Sequence, residues 1–163
     1  MSTDANKALV LASIEEGWNM QRLGIFDELF SPDLVDHGVP PGLPQTREGT
    51  KQRAVVYWRA FPDLRMTIDD QLAEGGSVVT RWTGRGTHSG ALAGIRATGK
   101  VVAVSGISID RLVGGKIVES WLETDRLGML QQLGAISTVA LVGHVAPHQV
   151  SGSTPGRPSE RRR

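Results

Sequence analysis

The residues of this chain that could move protons are few, and most lie between positions 81 and 125. They are His37, Arg81, His88, Asp110, Arg111 and Asp125, with Trp18 and Trp121 as large aromatic neighbours. A carboxylate in an apolar pocket can remove a proton that lies between two carbonyl groups, because burial raises the pKa of the acid and makes its anion a better base near neutral pH. Fixed donors can then hold the enolate. These residue types favour cofactor-free acid–base chemistry on a carbonyl compound.

Two kinds of role are expected at these positions. The predicted catalytic residues are Asp125, His37 and His88, and the predicted ligand contacts are Trp18, Val55, Arg81 and Trp121. Tryptophan suits a flat ligand because it is large and apolar and carries one donor. Structural roles stay open: Asp125 could only cap a helix, and the tryptophans could belong to the core. Asp110 and Arg111 flank a predicted hairpin, where charged side chains are normally solvated.

No motif for a nucleotide, a metal or a thiol nucleophile is complete. The stretch Gly94–Val101 approaches the phosphate-binding pattern GxxxxGK[ST], but Val101 lacks the hydroxyl and the segment leads into a predicted strand. His144 and His148 enclose Pro147, which excludes an ordinary helical metal pair. The chain has no cysteine. We therefore expect no cofactor and no metal.

The composition is that of one globular domain. The chain has 163 residues, 39% of them hydrophobic, which is enough to bury a core. Its net charge of +1 depends on residues 155–163, which hold four arginines and one glutamate, and is −2 without them. A nucleic-acid partner is therefore not expected. Neither a secretory signal nor a membrane-spanning apolar stretch is found, and we expect a cytoplasmic protein.

The hydrophobic pattern changes along the chain from a helical period to a strand period. Helices are predicted from Asp4, as N-cap, to Gly24, then over Ile25–Phe30 and from Thr46, as N-cap, to Phe61, with a brief extended piece at Leu34–Gly38 between the last two. Strands follow around Met66–Leu72 and over Val78–His88, Val101–Leu112 and Lys116–Glu123, and a short helix over Arg126–Leu133. This order predicts an α+β fold in which helices cover one face of a curved antiparallel sheet. Such a sheet leaves a concave pocket.

Several short motifs occur in the order found in one known family. They are Val35–Gly38, Ala60–Leu64, Val79–Thr83, Gly86–Gly90, Ala97–Lys100, Gly114–Trp121 and Asp125–Gly134. Over about residues 5–134 the chain resembles the SnoaL-like polyketide cyclases, also called ester cyclases, of the nuclear-transport-factor-2-like superfamily.

The resemblance implies a cone-shaped α+β barrel with a deep apolar pocket. It also implies cofactor-free intramolecular aldol closure of an aromatic polyketide ester, a reaction of antibiotic biosynthesis. The family's acid–base aspartate directly precedes the last helix, a position that Asp125 occupies here. Ser120 stands where relatives often have histidine, and Leu122 where they often have an acidic residue.

Two other functions stay open. An epoxide hydrolase of the same fold would use two aspartates bridged by an arginine to activate water, and Asp125, Asp110 and either Arg81 or Arg111 could supply these groups. A hydrogen-bonded Asp–Arg–Asp row in the pocket would favour that function. A non-catalytic binding protein would need only the pocket, and the absence of any carboxylate with a shifted pKa would favour it.

The predicted SnoaL-like domain covers residues 1–135, followed by an apolar arm at 136–150 and a disordered basic tail at 151–163. The arm carries no charge, and an apolar run left in water would be adhesive. We therefore predict a homodimer or a higher homo-oligomer in which the arm covers the neighbour's sheet or pocket mouth. The expected ligand is a small hydrophobic aromatic or polyketide compound.

Overall fold

The computed structural model describes residues 2–137, and in this part helices precede a meandering sheet. The elements are α1 Thr3–Ala12, a π-helical segment Ser13–Asn19, α2 Ile25–Leu29, β1 Phe30–Asp36, α3 Arg47–Ala60, β2 Arg65–Glu74, β3 Ser77–Thr87, β4 Val101–Val113, β5 Lys116–Thr124 and α4 Arg126–Leu133. The expected α+β class is confirmed. Most of the predicted arm and the whole predicted tail lie outside the described residues.

Local hydrogen bonds set the helix ends. The side chain of Thr46 accepts a backbone N–H at the start of α3, and Asp125 does the same at the start of α4. Gly134 ends α4 with a φ of 82°, which glycine adopts at little cost. The first helix differs from expectation, since Ser2 caps it instead of Asp4 and it becomes π-helical at Ser13. None of the described helices has the length and apolarity needed to cross a membrane.

The sheet has five strands in the order β1-β5-β4-β3-β2. Strands β2 to β5 form the predicted antiparallel meander, with turns at Gly75-Gly76 and Gly114-Gly115. The first three residues of the expected extended piece Leu34–Gly38 belong to a fifth strand, β1, which pairs with β5 in parallel, and the last two lie in the turn that follows. The sheet is therefore mixed, with β1 and β2 as its two edges, and no pair within residues 2–137 closes it.

The helices pack on one face of this sheet. The main hydrophobic cluster joins Val10 of α1, Phe26 of α2 and Ala54 of α3 to Val78 and Ile117 of the sheet. A second cluster packs α4 on the far end of β4 through Val102, Val104, Met129 and Leu133. On β4 and β5, side chains such as Ile107, Ile109 and Trp121 point to the opposite face and are exposed.

Candidate active site

An apolar cavity lies between the helices and the inner face of the sheet. The cavity has a volume of about 130 Å³, excluding the open solvent at its mouth. Its wall includes five aromatic side chains, Trp18, Phe30, Tyr57, Phe61 and Trp82. Such a wall can stack on a flat ligand, so the pocket expected from the fold is present.

Six polar side chains on this cavity wall form a buried polar cluster: Asp36, Thr50, Arg53, Ser108, Asp110 and Ser120. All but Ser108, which is half-buried, are buried. They come from β1, α3, β4 and β5, so the cluster depends on the whole fold.

The first half of the cluster is centred on Asp36 at the end of β1. Its Oδ2 accepts a hydrogen bond from the Thr50 hydroxyl at 2.6 Å and forms an ion pair with Arg53 Nη2 at 3.1 Å. Its Oδ1 accepts the backbone N–H of Gly38 at 2.8 Å. Thr50 and Arg53 are three residues apart on α3, which puts both on the same helix face. A buried carboxylate with this many donors is well compensated.

Arg53 is held tightly but is not fully paired. Its guanidinium carbon lies 5.7 Å from the centre of the Trp18 ring. A Cβ atom at position 38 would lie 3.0 Å from Arg53 Nη1 and 2.4 Å from the Leu122 Cβ, so only glycine fits there. Arg53 Nε and Nη1 are buried, and neither has a hydrogen-bond acceptor among residues 2–137.

The second half of the cluster is centred on Asp110 of β4. Its Oδ1 accepts a hydrogen bond from the Ser120 hydroxyl at 2.7 Å, and its Oδ2 accepts one from Ser108 at 3.3 Å. Burial raises the pKa of Asp110 from an ordinary 3.8 to about 6, and the charge of Asp36 acts in the same direction. The two serines and Arg53 oppose this rise in pKa. Asp110 can therefore give and take a proton near neutral pH.

Asp125 and Arg81 lie outside the main cavity. Both border a shallow depression that also includes Ile107 and Glu123. Asp125 is exposed, and its Oδ1 accepts the N–H of Gly128 at 2.7 Å, which is the capping role. Arg81 forms an ion pair with Asp69 at 3.2 Å. Catalysis by Asp125 and ligand binding by Arg81 stay predictions.

His37 and Trp121 form a cluster on the outer surface with Glu119. Their rings stack with centres 5.1 Å apart, and His37 Nε2 lies 3.0 Å from Glu119 Oε1. Hydrogen bonds from His37 and Arg111 hold the pKa of Glu119 below its usual value. This position corrects the expectation that Trp121 lines the cavity. The catalytic role of His37 and the ligand contact of Trp121 stay predictions.

The remaining predicted residues, Trp18, Val55 and His88, differ in their position relative to the cavity. Trp18 borders the cavity, whereas Val55 does not. His88 is fully buried, with Nδ1 3.1 Å from the Thr98 hydroxyl and no partner for Nε2 among residues 2–137. Its ring lies 5.3 Å from that of Phe61, which borders the cavity. His88 thus lies behind the wall rather than in it, and its catalytic role stays a prediction.

Sequence reasoning missed most of the buried polar cluster. The expectation that Asp110 is solvated is wrong, because even-numbered positions of β4 such as Val102, Val104 and Leu112 face inward and Asp110 shares their side. The same alternation places Asp36 beside buried Leu34. This alternation of inward-facing and outward-facing positions can be read from the sequence, and it could have placed Asp36 and Asp110 inside. No such pattern in the sequence predicts that Arg53 is buried, because only the position of Asp36 explains a buried arginine on α3.

The chain belongs to the SnoaL-like polyketide cyclase family, whose sequence model matches residues 8–133. This range covers all the elements that form the cavity except the first half of α1. No curated protein matches the chain.

Solved structures share the fold over most of this chain. TsrD from Streptomyces laurentii is similar with a TM-score of 0.76 and 26% identity, over 83% of this chain and 99% of that one. AclR from Streptomyces galilaeus, named as a candidate hydroxylase, is similar with a TM-score of 0.75 and 29% identity, over 83% of this chain and 99% of that one. IdmH from Streptomyces antibioticus, named as a candidate polyketide cyclase, is similar with a TM-score of 0.71 and 33% identity, over 79% of this chain and 98% of that one.

Proposed function

We propose that the chain is a cofactor-independent cyclase that closes a ring in a polyketide ester by intramolecular aldol chemistry, with Asp110 as the acid–base residue. The observation that carries this proposal is the position of Asp110, a buried carboxyl group on the wall of an apolar cavity and in the field of a buried arginine. Membership of the cyclase family supports the reaction class.

The proposed reaction needs only one group that exchanges a proton. The Asp110 carboxylate takes a proton from a carbon next to a ligand carbonyl, and the C–H electron pair forms the enolate. The enolate carbon attacks a second carbonyl of the same molecule and forms the new carbon–carbon bond. The electron pair of that carbonyl moves to its oxygen, which takes the proton back from Asp110. The product is an isomer of the substrate, so atoms and charge balance.

The surroundings of Asp110 favour an enzyme over a binding protein. With a pKa of about 6, Asp110 is mainly ionised at pH 7, and its acid form is still strong enough to return the proton. A binding site has no need of such a group. The aromatic wall can hold a long ligand folded so that the reacting carbons meet, which accelerates an intramolecular step.

Ring closure can be tested with aromatic polyketide esters that carry a 1,3-dicarbonyl group. Because aldol closure leaves the mass unchanged, the product is recognised by chromatography as an isomer with a new absorbance spectrum. We expect Asp110→Asn to slow closure by about 10²- to 10⁴-fold. Asp33→Asn, at an exposed site on β1, is the matched control and should leave the rate unchanged. Equal rates for the Asp110 variant and the wild type would contradict the assignment.

One observation favours a second candidate, an epoxide hydrolase. Asp36, Arg53 and Asp110 have the composition of an Asp–Arg–Asp row, although among the described residues Arg53 forms an ion pair with Asp36 and acts on Asp110 only through its charge. Of the groups expected from the sequence, Asp110 belongs to this row, whereas Asp125, Arg81 and Arg111 have other partners. Hydrolysis adds one water to the substrate, so oxygen-18 incorporation from labelled water would identify it and exclude aldol closure.

A further inference from the structure

Arg53 has more hydrogen-bond donors than its described neighbours use. Asp36 forms an ion pair with Nη2, while Nε and Nη1 are buried without an acceptor among residues 2–137. A buried charged donor without a partner costs free energy that a bound acceptor would recover. The Arg53 side chain is 9% exposed and borders the cavity, so it lies where a ligand would be.

We propose that Arg53 binds the carbonyl oxygen of the ligand and holds the enolate oxygen while Asp110 carries the proton. This inference rests on the proposed function. It names the ligand group that the cavity recognises, an enolisable carbonyl, and the residue that binds this group.

Arg53 is preorganised for this role. The ion pair with Asp36 fixes one edge of the guanidinium, the Trp18 ring lies 5.7 Å away, and the missing side chain of Gly38 leaves room for Nη1. A donor that is already fixed needs no reorganisation when charge develops on the ligand. Its low exposure also strengthens any electrostatic contact that it makes.

The charges of the cluster agree with proton transfer beside Arg53. When the Asp110 carboxylate takes the proton, the negative charge moves from Asp110 to the ligand oxygen. Arg53 already interacts electrostatically with Asp110. An oxygen bound to Arg53 would keep the negative charge beside the same cation throughout the step, and the total charge of the cluster and the ligand together would not change.

Two other arginines border the cavity but are less suited to this role. Arg85 and Arg126 are both exposed, and water screens their charges. Arg53 is the buried arginine of this wall among the described residues.

The test compares 2-tetralone with its hydrocarbon isostere, in which a methylidene group replaces the carbonyl oxygen. The affinities of both probes are measured by calorimetry. We expect the wild type to bind the ketone about tenfold or more tightly than the isostere, the range of a hydrogen bond to a charged group. Equal affinities in the wild type would overturn the proposal.

Variants then assign the preference to Arg53. Arg53→Met alone leaves Asp36 buried without its partner, so the Asp36→Asn/Arg53→Met double variant is used as well, and each variant is checked by thermal melting. We expect the double variant to bind the two probes within about twofold of each other. Arg59→Met, at an exposed site on the same helix, should keep the wild-type preference. A ketone preference that survives in the folded double variant would overturn the proposal.

The outcome for Arg53 is separate from that for ring closure. Ketone selectivity that depends on Arg53, in a protein that closes no ring, would support the Arg53 inference and contradict the cyclase. Ring closure without such selectivity would support the cyclase and overturn the Arg53 inference.

Discussion

Asp110 and Asp125 differ in what surrounds their carboxyl groups. Asp110 is buried on the cavity wall with two serine hydroxyls and Arg53 nearby, whereas Asp125 is exposed and bonded to the first turn of α4. The first environment changes the pKa of a carboxyl group, and the second fixes a helix end. At the residue scale the structure therefore favours Asp110 for proton transfer.

The ionisation of Asp110 can be observed without a substrate. Carbon-13 NMR of the side-chain carboxyl groups should show one resonance that titrates with a midpoint near pH 6 and is missing in Asp110→Asn. Burial is the reason, since it disfavours the charged form. A midpoint close to the ordinary value of 3.8 would contradict the described environment. Activity that depends on the carboxylate should fall as pH drops below about 6.

The same pKa shift predicts how stability depends on pH. Folded Asp110 holds its proton up to about pH 6 and unfolded Asp110 only to about 3.8, so the free energy of unfolding falls as pH rises between these values. Asparagine cannot ionise. Between pH 4 and pH 7, Asp110→Asn should gain about 1–3 kcal/mol in unfolding free energy relative to the wild type. Urea titrations at the two pH values measure this gain, and a difference between the proteins that is independent of pH would contradict it.

At the element scale, strand alternation decides which side chains reach the cavity. Trp18 follows α1 and borders the cavity, while Trp121 of β5 lies on the outer face of the sheet. We expect Trp18→Leu to weaken the binding of an aromatic ligand by about tenfold, because a stacking surface is lost. Trp121→Leu is the matched variant and should change this affinity by less than about twofold. Comparable losses from both variants would place the ligand elsewhere.

Much of the secondary structure was predictable, because glycine pairs mark the hairpins and side-chain periods separate helices from strands. The predicted bounds of β4 and β5 lie within one residue of those observed. The parallel pairing of β1 with β5 was not predictable, since it depends on packing between segments more than 80 residues apart. That pairing brings Asp36 to the sheet beside Ser120, and it therefore creates the site. The sequence predicted the fold class, which is confirmed, and placed the acid–base carboxylate at Asp125, whereas Asp110 is the carboxyl group on the cavity wall whose pKa is raised.

At the scale of the whole molecule, the outer face of the sheet is a candidate surface for association. Ile107, Ile109 and Trp121 are 47%, 42% and 39% exposed there. Adjacent apolar side chains of this size often mark a protein interface. A second copy of the chain is the partner predicted from the sequence, and its apolar residues 136–150 are the predicted contact.

The homodimer prediction is tested by measuring mass in solution for the full chain and for a chain that ends at Ala135. We expect a dimer for the first and a monomer for the second, because the deletion removes the predicted contact. A dimer that survives the deletion would exclude the arm as the interface. A monomeric full chain would contradict the dimer itself.

The central claim is that Asp110, rather than Asp125, exchanges the proton, and one comparison tests it most directly. The rate of α-proton exchange of 2-tetralone in deuterated water is measured by NMR for the wild type, Asp110→Asn and Asp125→Asn, with folding checked for each. The account predicts a loss of about 10²- to 10⁴-fold for Asp110→Asn and a change of less than about threefold for Asp125→Asn. A large loss in Asp125→Asn, with near-normal exchange in Asp110→Asn, would contradict it.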